Sequence, residues 1–405
     1  MVAEVTQRID QLDQSDVLAE FLGRFVSDTS GINYLDGNSL GRLSHDARAS
    51  ILSAIDDEWG QELIRGWEHW TELSSQLGDV LGSELLGAAP GQVVVSDSTS
   101  VNLYKTILAA LSLVPNRRAL LVDANEFPTD RYILEGIAAA HGLELRLMAT
   151  AMNDPISVDD FAPYLDDDVA LVVVSQVNYR SGALNDLARI AYTIHSVGGM
   201  LVADLSHSVG AVPIALDDDD VDFAVGCTYK YLNGGPGSPA FLYARARLQS
   251  ELTQPIWGWF SALDQFQMGP RYEPAPGIAR FLVGTPPVLQ LQAFKGALGV
   301  VCDAGIERLR TKSIAQTQLA IELFDDYLAP EGFRLASPRE VAQRGGHLTF
   351  EHPDALAFSH ALFVDHRVLV DYRVPDRIRF APSPLYTSFA QVYQGVMALR
   401  EVATR

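Results

Sequence analysis

Several short segments of this chain have residue types and spacings that could do chemistry, and each follows an apolar run of strand character. Lys230 stands between Tyr229 and Tyr231, just past Phe223–Gly226 and ahead of the turn Asn233-Gly234-Gly235-Pro236-Gly237. Asp204 closes the run Met200–Asp204 and leads into Leu205-Ser206-His207-Ser208. Asp97-Ser98-Thr99-Ser100 separates Gln92–Ser96 from a helical stretch, so hydroxyls and free N–H groups gather at a helix N-terminus suited to phosphate. Phe127, within Asn125-Glu126-Phe127-Pro128-Thr129-Asp130, puts an aromatic ring after Ala119–Asp123. Singly, each has an ordinary reading as an N-cap, a core aromatic or a solvated lysine. Together they supply what pyridoxal phosphate requires. A lysine forms the Schiff base, a carboxylate keeps the pyridine nitrogen protonated, an anion cradle holds the phosphate, and a ring stacks on the pyridine.

These groups can meet only if the runs before them lie side by side. Gln92–Ser96, Ala119–Asp123, Leu143–Ala149, Val169–Ser175, Met200–Asp204 and Phe223–Gly226 read as strands. Helical segments alternate with them over Val101–Val114, Asp130–His141 and Asn185–Val197. Val/Leu/Ile runs of this kind mark a buried parallel or mixed sheet flanked by helices, whose ligands collect at the carboxyl ends of the strands. Thr253–Pro287 is irregular and rich in Pro, Gly and aromatics, which suits a functional segment. Beyond it, a helical region to Leu328, strands near Gly346–Phe350 and Val368–Asp371, and a final helix Ser388–Val402 form a second, smaller α+β domain. The expected division is an N-terminal segment 1–48 packing with the small domain, a large cofactor-binding domain 49–287 and a small domain 288–405.

Composition removes other classes. The 405 residues include 30 Lys+Arg against 51 Asp+Glu, a net charge of −21 and a pI near 4.7. Such a chain repels phosphate backbones and anionic lipid, and it contains no basic run, so neither nucleic acid nor membrane is an expected partner. The acidic runs Asp166–Asp168 and Asp217–Asp220 read as solvated loop ends. Nothing approaches the roughly 18 consecutive apolar residues of a membrane helix, and Met1–Asp16, with Glu4, Asp10, Asp13 and Asp16, does not read as a signal peptide. Cys227 and Cys302 build no disulfide framework, which suits a cytoplasmic protein. The nine histidines include no H-x-x-x-H pair, and His347 and His352 read as two solvated side chains, so no metal is expected.

Several motifs resemble those of the kynureninase family, of the aspartate-aminotransferase-like pyridoxal-phosphate enzymes. They are YLDGNSLG (Tyr34–Gly41), DSTSVN (Asp97–Asn102), FPTD (Phe127–Asp130), VNYRSG (Val177–Gly182) and DLSHSVG (Asp204–Gly210). GCTYKYLNGGPGSP (Gly226–Pro239), GWF (Gly258–Phe260), Gly284-Thr285-Pro286 and RFAPSPLYTSF (Arg379–Phe389) follow in family order. The resemblance implies an α/β fold with a mostly parallel, seven-stranded sheet, and hydrolysis of L-kynurenine, or its 3-hydroxy form, to the anthranilate and L-alanine. It implies that Lys230 carries the cofactor and shuttles the α-proton, that Asp204 pairs with the pyridinium nitrogen with His207 close by, and that Phe127 stacks on the ring. Thr99, Ser100, Asp130 and Tyr229 would hold the phosphate and its surroundings, with Ser175 a further cofactor contact. Tyr229 would also serve as proton relay. Trp259 and Thr285 would reach in from the partner of a homodimer, Arg379 would pair with the substrate carboxylate, and Trp67 and Ser39 would line the aryl pocket.

Two departures stand out. Ser261-Ala262 follows GWF where relatives have Gly-His, and Ser206 replaces a commoner Ala. Rival readings fare worse. A desulfurase-like lyase needs a mobile cysteine, which neither Cys227 nor Cys302 resembles. A non-catalytic cofactor-binding regulator would want a basic DNA-binding domain, and a nicotinamide dehydrogenase would want G-x-G-x-x-G after its first strand.

Overall fold

The apolar runs form one sheet because their side chains have no polar face to give to water. In the computed structural model, which describes residues 2–27 and 30–405, successive residues of Val169–Ser175 point to opposite cores: Val172 and Val174 to one, Leu171 and Val173 to the other. Period-two alternation between two apolar layers is what a strand covered by helices on both faces must show. Met1, Asp28 and Thr29, all within the segment 1–48, lie outside the described residues.

The large sheet has seven strands: β1 (Val93–Val95), β2 (Ala119–Asp123), β3 (Glu144–Met148), β4 (Val169–Ser175), β5 (Met200–Asp204), β6 (Phe223–Gly226) and β7 (Phe241–Ala244). Their spatial order is β1-β7-β6-β5-β4-β2-β3. All neighbours pair parallel except β7, which runs antiparallel to both β1 and β6. The strand β7 is an addition to the sequence reading, where its four residues lay hidden behind a Gly/Pro-rich turn. With β7 alone reversed, the chain leaves β1, β2, β4, β5 and β6 at one edge, and Ser175 and Asp204 are register partners there.

The long helical region after Pro287 is two helices, Val288–Ala304 and Ile306–Leu323, broken at Gly305, whose φ of +76° suits a residue without a Cβ. The first contributes Leu291, Phe294 and Leu298 to the core that holds Ala203 and Leu205. A four-stranded antiparallel sheet follows, in the order Asp371–Arg373, Arg377–Phe380, Leu348–Glu351, Arg334–Leu335. Ile378 and Phe380 pack into its core with Phe350 and Val396. Alternation therefore sends Arg379, between them, to the opposite face, toward the large sheet.

The segment Asn33–Gly41 stitches the two units together. Asn33–Tyr34 pairs with Val368–Leu369, Leu35 accepts from the Ala381 N–H at 2.8 Å, and the Gly41 N–H donates to the Tyr229 carbonyl at 2.8 Å. A Cβ on Gly41 would run into Asn233 and the Lys230 carbonyl. Gly41→Ala should therefore cost about 1–3 kcal/mol, the usual range for overpacking. Denaturant unfolding measures it, and an unchanged midpoint would show that the contact yields freely.

Candidate active site

Lys230 sits in a loop held by its own backbone: the Asn233 N–H donates to the Lys230 carbonyl and the Gly234 N–H to the Thr228 carbonyl, both at 2.9 Å. The lysine is 9% exposed. Its Nζ lies 3.4 Å from Nδ1 and 3.3 Å from Nε2 of His207, and so rests over the face of that ring. Among the described residues it makes no ion pair, which leaves the amine beside an aromatic surface at the sheet edge. Tyr229 presents its ring 5.8 Å from the same nitrogen. Burial, and then the neighbouring Cys227 thiol, push the Tyr229 hydroxyl's ionisation upward, so it stands as a phenol able to give a proton. Burial likewise raises the Cys227 thiol and pushes Cys302 up to about 11, which leaves neither as a ready thiolate nucleophile.

Below the lysine lies an acidic pocket. Asp204 Oδ1 accepts from the Ser206 N–H at 2.6 Å. Asp130, 1% exposed, faces Asp204, and its Oδ2 finds no donor. Burial first, then the charges of Asp204 and Glu126, hold the Asp130 carboxyl well above the usual carboxylate range. Glu126 completes the pocket. Its carboxylate accepts from the Ser175 N–H at 2.8 Å, the Ser175 hydroxyl at 2.6 Å and the Phe127 N–H at 2.8 Å. Burial outweighs those bonds and pushes it up to about 7. The Ser175 hydroxyl is thus engaged with Glu126, a partner that sequence reasoning missed although it sits beside Phe127 in the same motif.

Arg379, 1% exposed, is oriented by Asp371, which accepts from its Nε at 2.6 Å. Its Nη1 donates to the Tyr179 carbonyl at 2.8 Å and lies 3.4 Å from His207 Nε2, while Nη2 donates to Ser39 Oγ at 2.9 Å. Lys230 and Arg379 therefore meet at one imidazole. Tyr179 also sets the Phe127 ring, with centroids 5.1 Å apart and planes at 85°. Asp371 and Tyr179 were not singled out from sequence; Asp371 faces Arg379 only through strand register.

His347 corrects the reading of two solvated histidines. It is fully buried, with its ring centroid 5.8 Å from that of His207. Neither ring nitrogen makes a well-formed hydrogen bond; the Tyr179 carbonyl is near but outside good geometry. Burial, followed by the positive charges of Lys230 and Arg379, lowers both histidines well below their ordinary value.

Thr99 and Ser100 open the helix Thr99–Leu113, whose N-cap Ser98 accepts from the Val101 N–H. Ser98 and Ser100 are exposed, so this N-terminus is free to meet an anion. Trp67 and Trp259 lie elsewhere, in an aromatic cluster with Trp70 and Phe260, their own rings 6.3 Å apart. Thr285 is exposed. Among the described residues, no hydrogen bond or ring contact joins Trp67, Trp259 or Thr285 to the Lys230–Arg379 group. A cavity of about 520 Å³ lies in the neighbouring loop, lined by Trp257, Trp259, Leu263 and Met268. The Ser261 departure is absorbed inside that loop, its hydroxyl bonded to the Gly258 carbonyl at 3.0 Å. Among the described residues no cluster of metal-ligating side chains occurs, and no helix is long and apolar enough to cross a membrane.

Comparison with known proteins identifies the family and the fold. Residues 309–399 match the family model described as the kynureninase C-terminal domain. A kynureninase of Pseudomonas fluorescens is 42% identical over 97% of this chain and 94% of its own length. One from Burkholderia pseudomallei is 40% identical over 96% and 94%. Among solved structures, a cysteine desulfurase from Thermococcus onnurineus superposes with a TM-score of 0.82 at 17% identity, covering 96% of this chain and 98% of that one. A C-DES variant with glycine covalently linked to its PLP cofactor gives 0.80 at 19%, covering 92% and 97%. At such identities these two show a shared fold, the aspartate-aminotransferase-like α/β architecture.

The neutral histidines carry a pH signature. Unfolded histidine takes up a proton near 6.5 while the buried rings do not, so their contribution is complete above that pH and is lost as pH falls toward the lowered folded values. Glu126, at about 7, and Asp36, raised by burial to about 6, act in the opposite sense. A difference measurement separates the terms. The melting-temperature advantage of wild type over His347→Gln should be greatest above about pH 7 and shrink toward about pH 5. A pH-independent difference would contradict a neutral, buried His347.

Proposed function

Because the chain belongs to the kynureninase family, we propose that it hydrolyses the Cβ–Cγ bond of L-kynurenine with pyridoxal phosphate, giving anthranilate and L-alanine. The observation that carries the reading is the convergence of Lys230 and Arg379 on His207, at 3.3 Å and 3.4 Å. The amine that would anchor a cofactor aldehyde and the guanidinium that would hold an α-carboxylate both lie against one imidazole, a proximity suited to an α-amino acid. The acidic pocket fits the cofactor as well. Asp130 Oδ2 without a donor and the Asp204 carboxylate beside it form a recess that favours a protonated ring nitrogen.

When bound, pyridoxal phosphate supplies an aldehyde that captures the substrate amine and a ring that withdraws electrons from it. The chain's residues do the rest. Asp204, with Asp130 beside it, would face the ring nitrogen and favour its protonated form. Phe127, fixed by Tyr179, covers one face of the ring. Thr99 and Ser100, at the helix N-terminus, would hold the phosphate, and Tyr229, Ser175 and His207 would hold the ring. Arg379, oriented by Asp371 and Ser39, binds the carboxylate and aligns the Cα–H bond with Lys230 Nζ, which takes the proton. Water then adds to the γ-carbonyl, and the Tyr229 hydroxyl returns a proton as the Cβ–Cγ bond breaks. One water is consumed, and its atoms end in the anthranilate carboxyl group and the alanine.

The same reading includes a homodimer in which Trp259 and Thr285 of one protomer complete the partner's phosphate site and Trp67 lines the aryl end. The support is an exposed apolar loop, with Trp257 63% and Met268 76% accessible and Leu263 and Phe266 beside them. Cys227 and Cys302 are unpaired, in keeping with a reducing cytoplasm.

Anthranilate fluorescence after mixing the protein with pyridoxal phosphate and L-kynurenine tests the activity. Lys230→Ala should abolish release and the visible cofactor band; release that persists in this variant would rule Lys230 out. Arg379→Ala should keep the band but weaken substrate binding about 30- to 1000-fold, the equivalent of losing about 2–4 kcal/mol of buried charge-assisted pairing. Unchanged substrate affinity would remove Arg379 from the carboxylate site.

A further inference from the structure

Glu126 is an enclosed carboxylate, 3% exposed, that the reaction described above does not use. It leaves the chain one residue before Phe127 and four before Asp130, and it spans two strand ends. One oxygen takes both the Ser175 hydroxyl, at 2.6 Å, and the Phe127 N–H, at 2.8 Å; the other takes the Ser175 N–H at 2.8 Å. Ser175 is the register partner of Asp204. The charged groups around it are the carboxyls of Asp130 and Asp204, with the Lys230 amine near Asp130. A second observation marks the pocket as built for a ligand. Asp130 is 1% exposed, yet its Oδ2 faces the acids with no donor.

Three carboxyls within mutual influence repel one another, and nothing in a purely structural role calls for that. Ser175 and Phe127 could be held by a neutral acceptor at lower electrostatic cost. Ionisation of these buried carboxyls becomes favourable only when a cationic N–H enters the pocket. Resting on the pyridoxal phosphate reading, we propose that Glu126 is a third carboxylate of the ring-nitrogen subsite. It is a positioning residue that locks Ser175 and the Phe127 backbone around the cofactor ring and adds charge behind Asp204. The electrostatic part distinguishes it from a turn-stabilising side chain. Its charge should favour every protonated state of the bound cofactor, at the ring nitrogen and at the imine alike.

The test is Glu126→Gln, which keeps the volume and removes the charge. Stripped of cofactor, the variant should melt at or above the wild-type temperature, because the like-charge repulsion is relieved. It should bind pyridoxal phosphate at least about 10-fold more weakly by absorbance titration. The pH midpoint of its visible cofactor band should move to lower pH, and kcat should fall with little change in KM. Ser175→Ala, which keeps the charge and removes the shortest of the three bonds, should weaken cofactor binding by a smaller factor, about threefold, without moving the band midpoint. Should Glu126→Gln not fold, Ser175→Ala with unaltered affinity decides against the proposal. Affinity and band midpoint within error of wild type in Glu126→Gln overturn it, as does a lowered apo melting temperature with unchanged affinity. Wild-type protein that takes up no pyridoxal phosphate overturns the functional reading itself, and this inference with it.

Discussion

A lysine amine held out of water, with no ion pair to a carboxylate among the described residues, is the constraint around which the rest of this structure is arranged. Burying an ammonium is costly unless an acid lies against it, yet Lys230 Nζ rests on the His207 ring while the acids are gathered lower down, on Asp204, Asp130 and Glu126. Without such an ion pair the amine is left available for chemistry, although Asp130 lies near enough to feel its charge. The arrangement can exist only where backbone geometry enforces it. The parallel strands ending at Ser175, Asp204 and Gly226 do so, because each delivers its next side chain to the same edge.

Arg379 depends on the same constraint from the other side. It lies on a strand of the small sheet whose neighbours Ile378 and Phe380 are anchored in a separate core, so its direction is set by alternation and not by attraction to the site. Asp371, across the hairpin, takes the Nε edge and leaves the Nη edge facing the large sheet. The segment Asn33–Gly41 bonds to both units and brings Ser39 to the guanidinium. The carboxylate-binding and amine-binding halves of the site thus belong to different cores, which that loop helps to join. Substitutions in that loop act on both halves at once.

What could be read from sequence follows from locality. The runs 119–123, 169–175, 200–204 and 223–226 announce themselves because a strand buried on both faces has no polar periodicity to blur it. Lys230 and Asp204 could be placed at the sheet edge because each directly follows or ends such a run. The strand Phe241–Ala244 could not, since four apolar residues after a Gly/Pro-rich turn look the same as a loop returning to the core. The single helical region after Pro287 concealed its break because Gly305 is one residue, and its left-handed φ is a property of the fold.

The sequence by itself determined the residue types, their order along the chain and the strand ends at which they emerge. From these come the fold class, the cofactor chemistry and the family. Tertiary structure alone decided which side chains are stripped of water and which charges face one another. His347 reads as solvated in sequence and is fully buried in the fold. Glu126 carries no assigned role in the sequence reading and is enclosed by Ser175 and Phe127. Asp371 reads as unremarkable and orients Arg379. The physical reason is that protonation and burial depend on groups distant along the chain. Desolvation and Coulomb energies are sums over space, and spacing along a sequence carries no record of them.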